Sequence, residues 1–237
     1  MTNTLDLICE QQELFDSLYA LNKPIIVYLM NGRPLSINNI HQKANAVTEG
    51  WYMGQETGTA AANILFGDAN PSGKLSITFP KSVGQLPVYY NHKPTAQYHD
   101  YLSENINPLY HFGYGLSYTN FKIGDPVLSK NKITPNESAS INIDIENTGN
   151  KEGAEVVQLY IRDKVSSVTR PVKELKGFKK VLLKPGEKKN ISFNIMPEQL
   201  AFYNIEMNFI VEPGEFEIMV WNSSRDEDLN TIILSVV

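Results

Sequence analysis

Glu49 and Glu56 are the carboxylates in this chain most suggestive of chemistry, because they flank Trp51 and Tyr52. Two carboxyl groups beside rings that can stack on a sugar are the ingredients of acid–base cleavage of an acetal. Such cleavage needs the two groups about 5–5.5 Å apart for double displacement and roughly 6.5–9.5 Å apart for single displacement. Seven positions along one helix separate two residues by about 10.5 Å, too far for either. A strand-to-helix break between them disfavours the pair further. The expectation is a solvated Glu49 and a Glu56 near a helix N-terminus, where negative charge complements the helix dipole.

Other reactive side chains point away from chemistry. Asp68, in Asp68-Ala69-Asn70-Pro71-Ser72-Gly73, reads as a turn residue whose side chain bonds nearby backbone, not as a metal ligand. His41, His92, His99 and His111 lack metal-motif spacing, and Cys9 is the single cysteine, so neither a thiolate cluster nor an intrachain disulfide is expected. Gly113 and Gly115 sit among aromatics instead of opening a helix, which argues against a nucleotide loop. No metal or cofactor is expected. Asn136, Asn190 and Asn222 head Asn-x-Ser triplets that matter only in a secretory setting.

These residues sit on elements of two different periods. Leu14, Phe15, Leu18 and Leu21 give Glu10 to Leu21 a helical spacing, and Pro24 to Met30 is a short apolar run suited to a buried parallel strand. Ala46 to Trp51 reads as a second strand and Gly54 to Phe66 as a helix capped by Gly67, with Lys74 to Phe79 as a third strand. That alternation predicts an α/β layer with crossovers. After about Phe121 the period becomes two. Ser140 to Glu146 alternates strictly, and further strands are expected at Glu155 to Arg162, Lys173 to Leu183, Asn190 to Ile195, Asn208 to Val211, Glu215 to Trp221 and Thr231 to Val237. Short strands so punctuated predict an antiparallel sandwich of immunoglobulin or fibronectin type III architecture. Asn91 to Pro108 reads as a surface loop. The aromatics Tyr89, Tyr90, Tyr98, Tyr101, Tyr110, Phe112, Tyr114 and Tyr118 either line a sugar cleft or seat the linker between the two regions, and packing is favoured.

Composition narrows the partners. Of the 237 residues, 42% are hydrophobic and 20% charged, the balance of a chain that forms a core. A net charge of −5 argues against nucleic acid and anionic membrane. The basic stretch from Lys173 to Lys189 is interleaved with apolar residues and reads as a solvated strand face. The polar start, Met1 to Asp6, lacks a signal peptide's pattern, so a cytoplasmic location is expected as written, with export open if a preceding segment exists.

A series of motifs in order carries a resemblance. It runs through Asn31-Gly32-Arg33-Pro34, Trp51-Tyr52-Met53-Gly54-Gln55-Glu56-Thr57-Gly58, Leu65-Phe66-Gly67-Asp68-Ala69-Asn70-Pro71-Ser72-Gly73-Lys74-Leu75 and Thr78-Phe79-Pro80. It continues in Gly84-Gln85-Leu86-Pro87, Phe112-Gly113-Tyr114-Gly115-Leu116-Ser117-Tyr118-Thr119, Glu155-Val156-Val157-Gln158-Leu159-Tyr160-Ile161, Arg170 to Phe178 and Leu183-Lys184-Pro185-Gly186-Glu187. Together these resemble the C-terminal part of a family-three glycoside hydrolase of the β-glucosidase type. The resemblance implies an α/β plus all-β chain: residues 1–120 as the later portion of the family's α/β sandwich domain with an aromatic linker, and 121–237 as a fibronectin type III-like sandwich. It implies retaining hydrolysis of terminal β-D-glucosides by the whole enzyme. The family's nucleophilic aspartate belongs to an N-terminal barrel, and its acid/base glutamate lies before the helix that Gln11-Gln12-Glu13-Leu14 resembles. No catalytic residue is therefore expected within this chain, and its substrate contacts are left unknown. A separately encoded or missing barrel is the implied partner, with self-association through an exposed sheet edge. The alternative is a non-catalytic module that binds carbohydrate or docks protein.

Overall fold

A computed structural model describes residues 4–95 and 105–237. Contacts divide them into two units, one of residues 4–69, Ile77–Val88 and 105–111, the other of Asn70–Ser76, 89–95 and Phe112–Val237. Among the described residues no helix is long and apolar enough to cross a membrane.

In the first unit, helix α1 (Gln11–Tyr19) precedes strand β1 (Ile26–Leu29). Helix α2 (Asn38–Lys43) follows, then strand β2 (Ala46–Glu49) and helix α3 (Thr57–Phe66), which is preceded by a single 3-10 turn at Gly54–Glu56. β1 and β2 pair in parallel, Leu29 opposite Glu49. Gly67 ends α3 in the left-handed conformation at φ 81°, as expected of a glycine cap. The core here is small: Phe15, Leu29, Ile37 and Ile40 are buried. α3 is apolar in composition yet buries none of its residues, and Phe66 is 84% exposed. β1 likewise leaves Ile26 exposed, although a parallel strand is ordinarily covered on both faces.

The expected strand from Lys74 to Phe79 does not form. Leu75 bonds the backbone of Tyr114 and Gly113, whereas Phe79 bonds Tyr110 and Leu109, so the alternating apolar run makes two separate sets of backbone bonds and no continuous ladder. α2, which positions Ile40, carried no recognised signal in the sequence.

The second unit is a two-sheet sandwich. Its strands are β3 (Phe121–Ile123), β4 (Val127–Leu128), β5 (Lys132–Ile133), β6 (Ala139–Asn147), β7 (Gly153–Asp163), β8 (Glu174–Leu183) and β9 (Lys188–Ile195). After the helical turn α4 (Pro197–Leu200) come β10 (Phe202–Tyr203), β11 (Phe209–Ile210), β12 (Gly214–Trp221) and β13 (Asn230–Val236). One sheet runs β5-β13-β12-β7-β8; in the other, β6 is flanked by β9 on one side and β3 and β4 on the other. Ile141, Ile143 and Ile145 of β6 face Val157, Leu159 and Ile161 of β7 and Phe216, Ile218 and Val220 of β12 across one core. All seven predicted strands of this region are present.

The segment 112–119 is fastened to this sandwich by buried polar groups. Lys74 Nζ meets Glu155 at 2.7 Å with both side chains nearly inaccessible, and also donates to the Gly115 carbonyl at 2.6 Å. Gln158 Nε2 donates to the carbonyls of Gly113 and Asn222, and Ser224 N–H to the Phe112 carbonyl. Gly113, at φ 80°, has no room for a side chain: a Cβ there would lie 2.1 Å from Gln158 Oε1. Tyr90 stacks on Phe112 at 4.2 Å, and Tyr90 stands edge-on to buried Tyr160. These three rings pack within this unit. Tyr98 and Tyr101 lie outside the described residues, as does His99.

Candidate functional site

The carboxyl ends of parallel strands are where open α/β layers bind ligands, and in the first unit those ends carry Asn31 and Glu49. Gly50 N–H bonds the Leu29 carbonyl at 2.9 Å, holding the two strand ends in register. Beyond them the chain is cramped. A Cβ on Gly32 would lie 2.4 Å from the Tyr52 ring and one on Gly50 2.8 Å from the Tyr28 ring. Trp51 follows Gly50 at φ 53°, a left-handed conformation costly for a bulky residue, with its ring 5.9 Å from that of Phe79. Tyr52 is 83% exposed.

Glu49 is not solvated as expected. It is half-buried; Oε1 accepts the Trp51 N–H at 2.8 Å and Oε2 is buried without a partner. Burial pushes its carboxyl above the ordinary range, opposed by the Trp51 N–H and the Asn31 side chain. Asn31 donates to the Arg33 carbonyl at 2.5 Å, and its own Oδ1 is also buried and unpartnered. When protonated, the Glu49 carboxyl can donate a hydrogen bond. No second carboxylate figures among the influences on Glu49. Glu56 is exposed at the position preceding α3, as expected, without a side-chain cap bond. The structure therefore does not bring Glu49 and Glu56 together as an acid–base couple.

The remaining candidates are structural. Asp68 is exposed and forms no bond to its turn; the turn is closed by Ala69 N–H to the Asn63 carbonyl. Asn70, which sequence reasoning passed over, bonds Ser117 Oγ and Tyr118 N–H through Oδ1, each at 2.8 Å, and the Glu152 carbonyl through Nδ2. His41 pairs with the Tyr110 hydroxyl at 2.8 Å, and His92 Nδ1 contacts the Lys93 carbonyl. Lys173, read as part of a solvated face, is instead buried, because it bonds the Ser224 carbonyl and Asp226. The rest of β8 is largely exposed, as expected. Among the described residues no three His, Cys, Asp or Glu side chains gather as metal ligands.

Residues 2–118 match the glycosyl hydrolase family 3 C-terminal domain, and residues 155–224 the fibronectin type III-like domain. The periplasmic beta-glucosidase of Salmonella typhimurium is 46% identical over 220 residues, covering 89% of this chain and 29% of that protein. A beta-xylosidase of Formosa agariphila is 45% identical over 235 residues, 98% of this chain and 32% of its own. Among solved structures, a β-glucosidase from Erythrobacter marinus superposes with a TM-score of 0.95 at 42% identity, over 100% of this chain and 31% of that one. The β-glucosidase from Listeria innocua in complex with glucose gives 0.92 at 38% identity, over 98% and 34%. The chain thus spans about a third of the length of the relatives it matches. It belongs to glycoside hydrolase family 3, of which it holds the C-terminal domain followed by the fibronectin type III-like domain.

Proposed function

We propose that this chain is the C-terminal portion of a β-glucosidase-type enzyme that hydrolyses terminal β-D-glucosides with retention, and that it does not hydrolyse them alone. The observation that carries this reading is the solitary state of Glu49. Burial raises its carboxyl above the ordinary range, yet among the described residues no second carboxylate acts on it, and double displacement needs one carboxylate to attack while another delivers a proton. Both catalytic carboxylates would then come from a polypeptide contributing the barrel and the acid/base loop. Family membership supports this role, as do relatives roughly three times as long.

The test is hydrolysis of p-nitrophenyl β-D-glucopyranoside by the purified chain, alone and mixed with a barrel polypeptide from a related β-glucosidase. No turnover alone and turnover in the mixture is the expected pair of results. Turnover by the chain alone, abolished by Glu49→Gln or Glu56→Gln, would overturn the reading.

A further inference from the structure

The second unit projects an apolar hairpin that the described residues leave uncovered. Tyr203, Ile205, Met207 and Phe209 are 60%, 82%, 72% and 51% exposed along β10, β11 and the turn between them. The projection is rigid. Asn204 Oδ1 accepts the Glu206 and Asn208 N–H groups at 3.0 and 2.9 Å, and the Asn204 carbonyl accepts the Met207 N–H at 3.0 Å. That frame holds Met207 at φ 63°, a left-handed conformation costly for a large side chain. At the base, buried Phe202 lies under the Arg170 guanidinium. Four large apolar groups are thus preorganised toward solvent, a face that monomeric proteins seldom show.

A second apolar feature adjoins it. Gln199, at the root of the hairpin, donates to the Lys176 carbonyl of β8, the edge strand of the five-stranded sheet. From there Phe178, Lys180 and Leu182 take alternate positions opposite Gln158, Val156 and Ala154 of β7, and so share the face turned away from the core. All three are exposed. The two features carry opposite charge. Residues 196–214 contain Glu198, Glu206 and Glu212 and no lysine or arginine, whereas 176–189 contain six lysines and one acidic residue, Glu187. Lys176, Lys188 and Lys189 have carboxylate partners, but among the described residues Lys180 has none and Glu206 has no cation.

Each feature is therefore an ion set between apolar groups: Glu206 between Ile205 and Met207, Lys180 between Phe178 and Leu182. Both lie along one edge of one sandwich. A two-fold axis beside β8 then brings the hairpin of each copy onto the stripe of the other. With Phe178 66% and Leu182 55% exposed, the six apolar side chains present roughly 700 Å² per copy, near the ~800 Å² per partner of a standard interface. Lysines on an edge strand discourage direct strand addition, which leaves side-chain contact across the face as the mode of association. The acidic hairpin disfavours an anionic membrane as the alternative.

We propose that the chain forms a two-fold dimer in which the 203–209 hairpin of each copy packs on the Phe178–Leu182 stripe of the other, with Glu206 against Lys180. The test is cross-linking of the full chain in a Cys9→Ser background, which removes the single native thiol. A chain carrying Asn208→Cys is mixed with one carrying Lys184→Cys, both exposed positions beside the contact, and treated with a short bismaleimide. The mixture should give several-fold more cross-linked dimer than either chain alone. Adding Glu206→Lys to the first chain should lower that yield about fivefold when the chains are below their Kd. Adding Lys180→Glu to the second chain should restore it, and that recovery shows the fold to be intact. No preference for the mixed pair, or charge reversals that leave the yield unchanged or fail to restore it, overturns the proposal and assigns the hairpin to another partner. Association through the first unit gives no such preference, and the hydrolysis test has no bearing on this result.

Discussion

Replacing Lys74 by Met removes the cation from a buried pair and leaves its partner behind. Glu155 and Lys74 have side-chain exposures of 5% and 10% and lie 2.7 Å apart. In the variant Glu155 keeps the Asn222 amide at 3.0 Å and the Val156 N–H at 2.7 Å, so its charge is hydrogen-bonded but uncompensated. The Gly115 carbonyl also loses its 2.6 Å donor. Breaking a buried pair from one side costs about 3–5 kcal/mol. The two retained bonds favour the lower end, about 3 kcal/mol, equivalent to a fall in Tm of roughly 6–12 °C for a unit of this size. Urea unfolding followed by Trp221 fluorescence reads the sandwich, and Trp51, the other tryptophan, can be changed to Phe to isolate the signal. Lys74→Met with Glu155→Leu should recover most of the loss, since the penalty arises from the stranded charge and not from missing attraction. A loss below about 0.5 kcal/mol for the single variant, or a double variant as unstable as the sum of both singles, would refute the argument.

Glu49→Gln should stabilise the first unit at neutral pH by about 1 kcal/mol, because its amide can keep the Trp51 N–H bond and offer a donor to the stranded Asn31 oxygen. The pH dependence follows from the sign. Burial raises the Glu49 carboxyl above its ordinary value near 4.5, so the folded state binds the proton more tightly and stability falls as pH rises through the window above that value. The Gln variant should lose that decline; a wild-type slope in the variant, measured by Trp51 fluorescence, would remove Glu49 as its source. We further propose that the chain self-associates through its uncovered α/β surfaces, where Leu14, Leu18, Ile26 and Phe66 are exposed. Light scattering after gel filtration should show a dimer or larger species that Leu18→Glu with Phe66→Ser shifts toward monomer, while a monodisperse wild-type monomer would contradict this.

Periodicity made the inside of the sandwich legible and left its outside obscure. Ile141, Ile143 and Ile145 had to face one way because alternate positions share a face, and each is fully buried. Lys173 belongs to a stretch that looks solvated yet is buried, and Glu155 is a charge in phase with the inward-facing Val157, Leu159 and Ile161. Their partners come from segments remote in sequence, Lys74 and Asn222 for Glu155 and the 224–226 turn for Lys173, and no local period encodes such a meeting. The first unit shows the converse. Leu75, Ile77 and Phe79 alternate like a strand, but Phe79 is buried and Ile77 exposed, because the hydrogen-bonding partners change between Leu75 and Phe79.

The burial of Glu49 and the pairing of Arg162 with Glu217 were illegible for a related reason. An isolated glutamate beside Trp51 gives no sign in the sequence that its second oxygen will be shut away. Arg162 and Glu217 are separated by 55 positions and become neighbours only through the β7–β12 register. A catalytic motif announces itself because its residues must keep a fixed order in the chain. An ion pair made across a sheet has no such order, because the pairing register alone brings its side chains together.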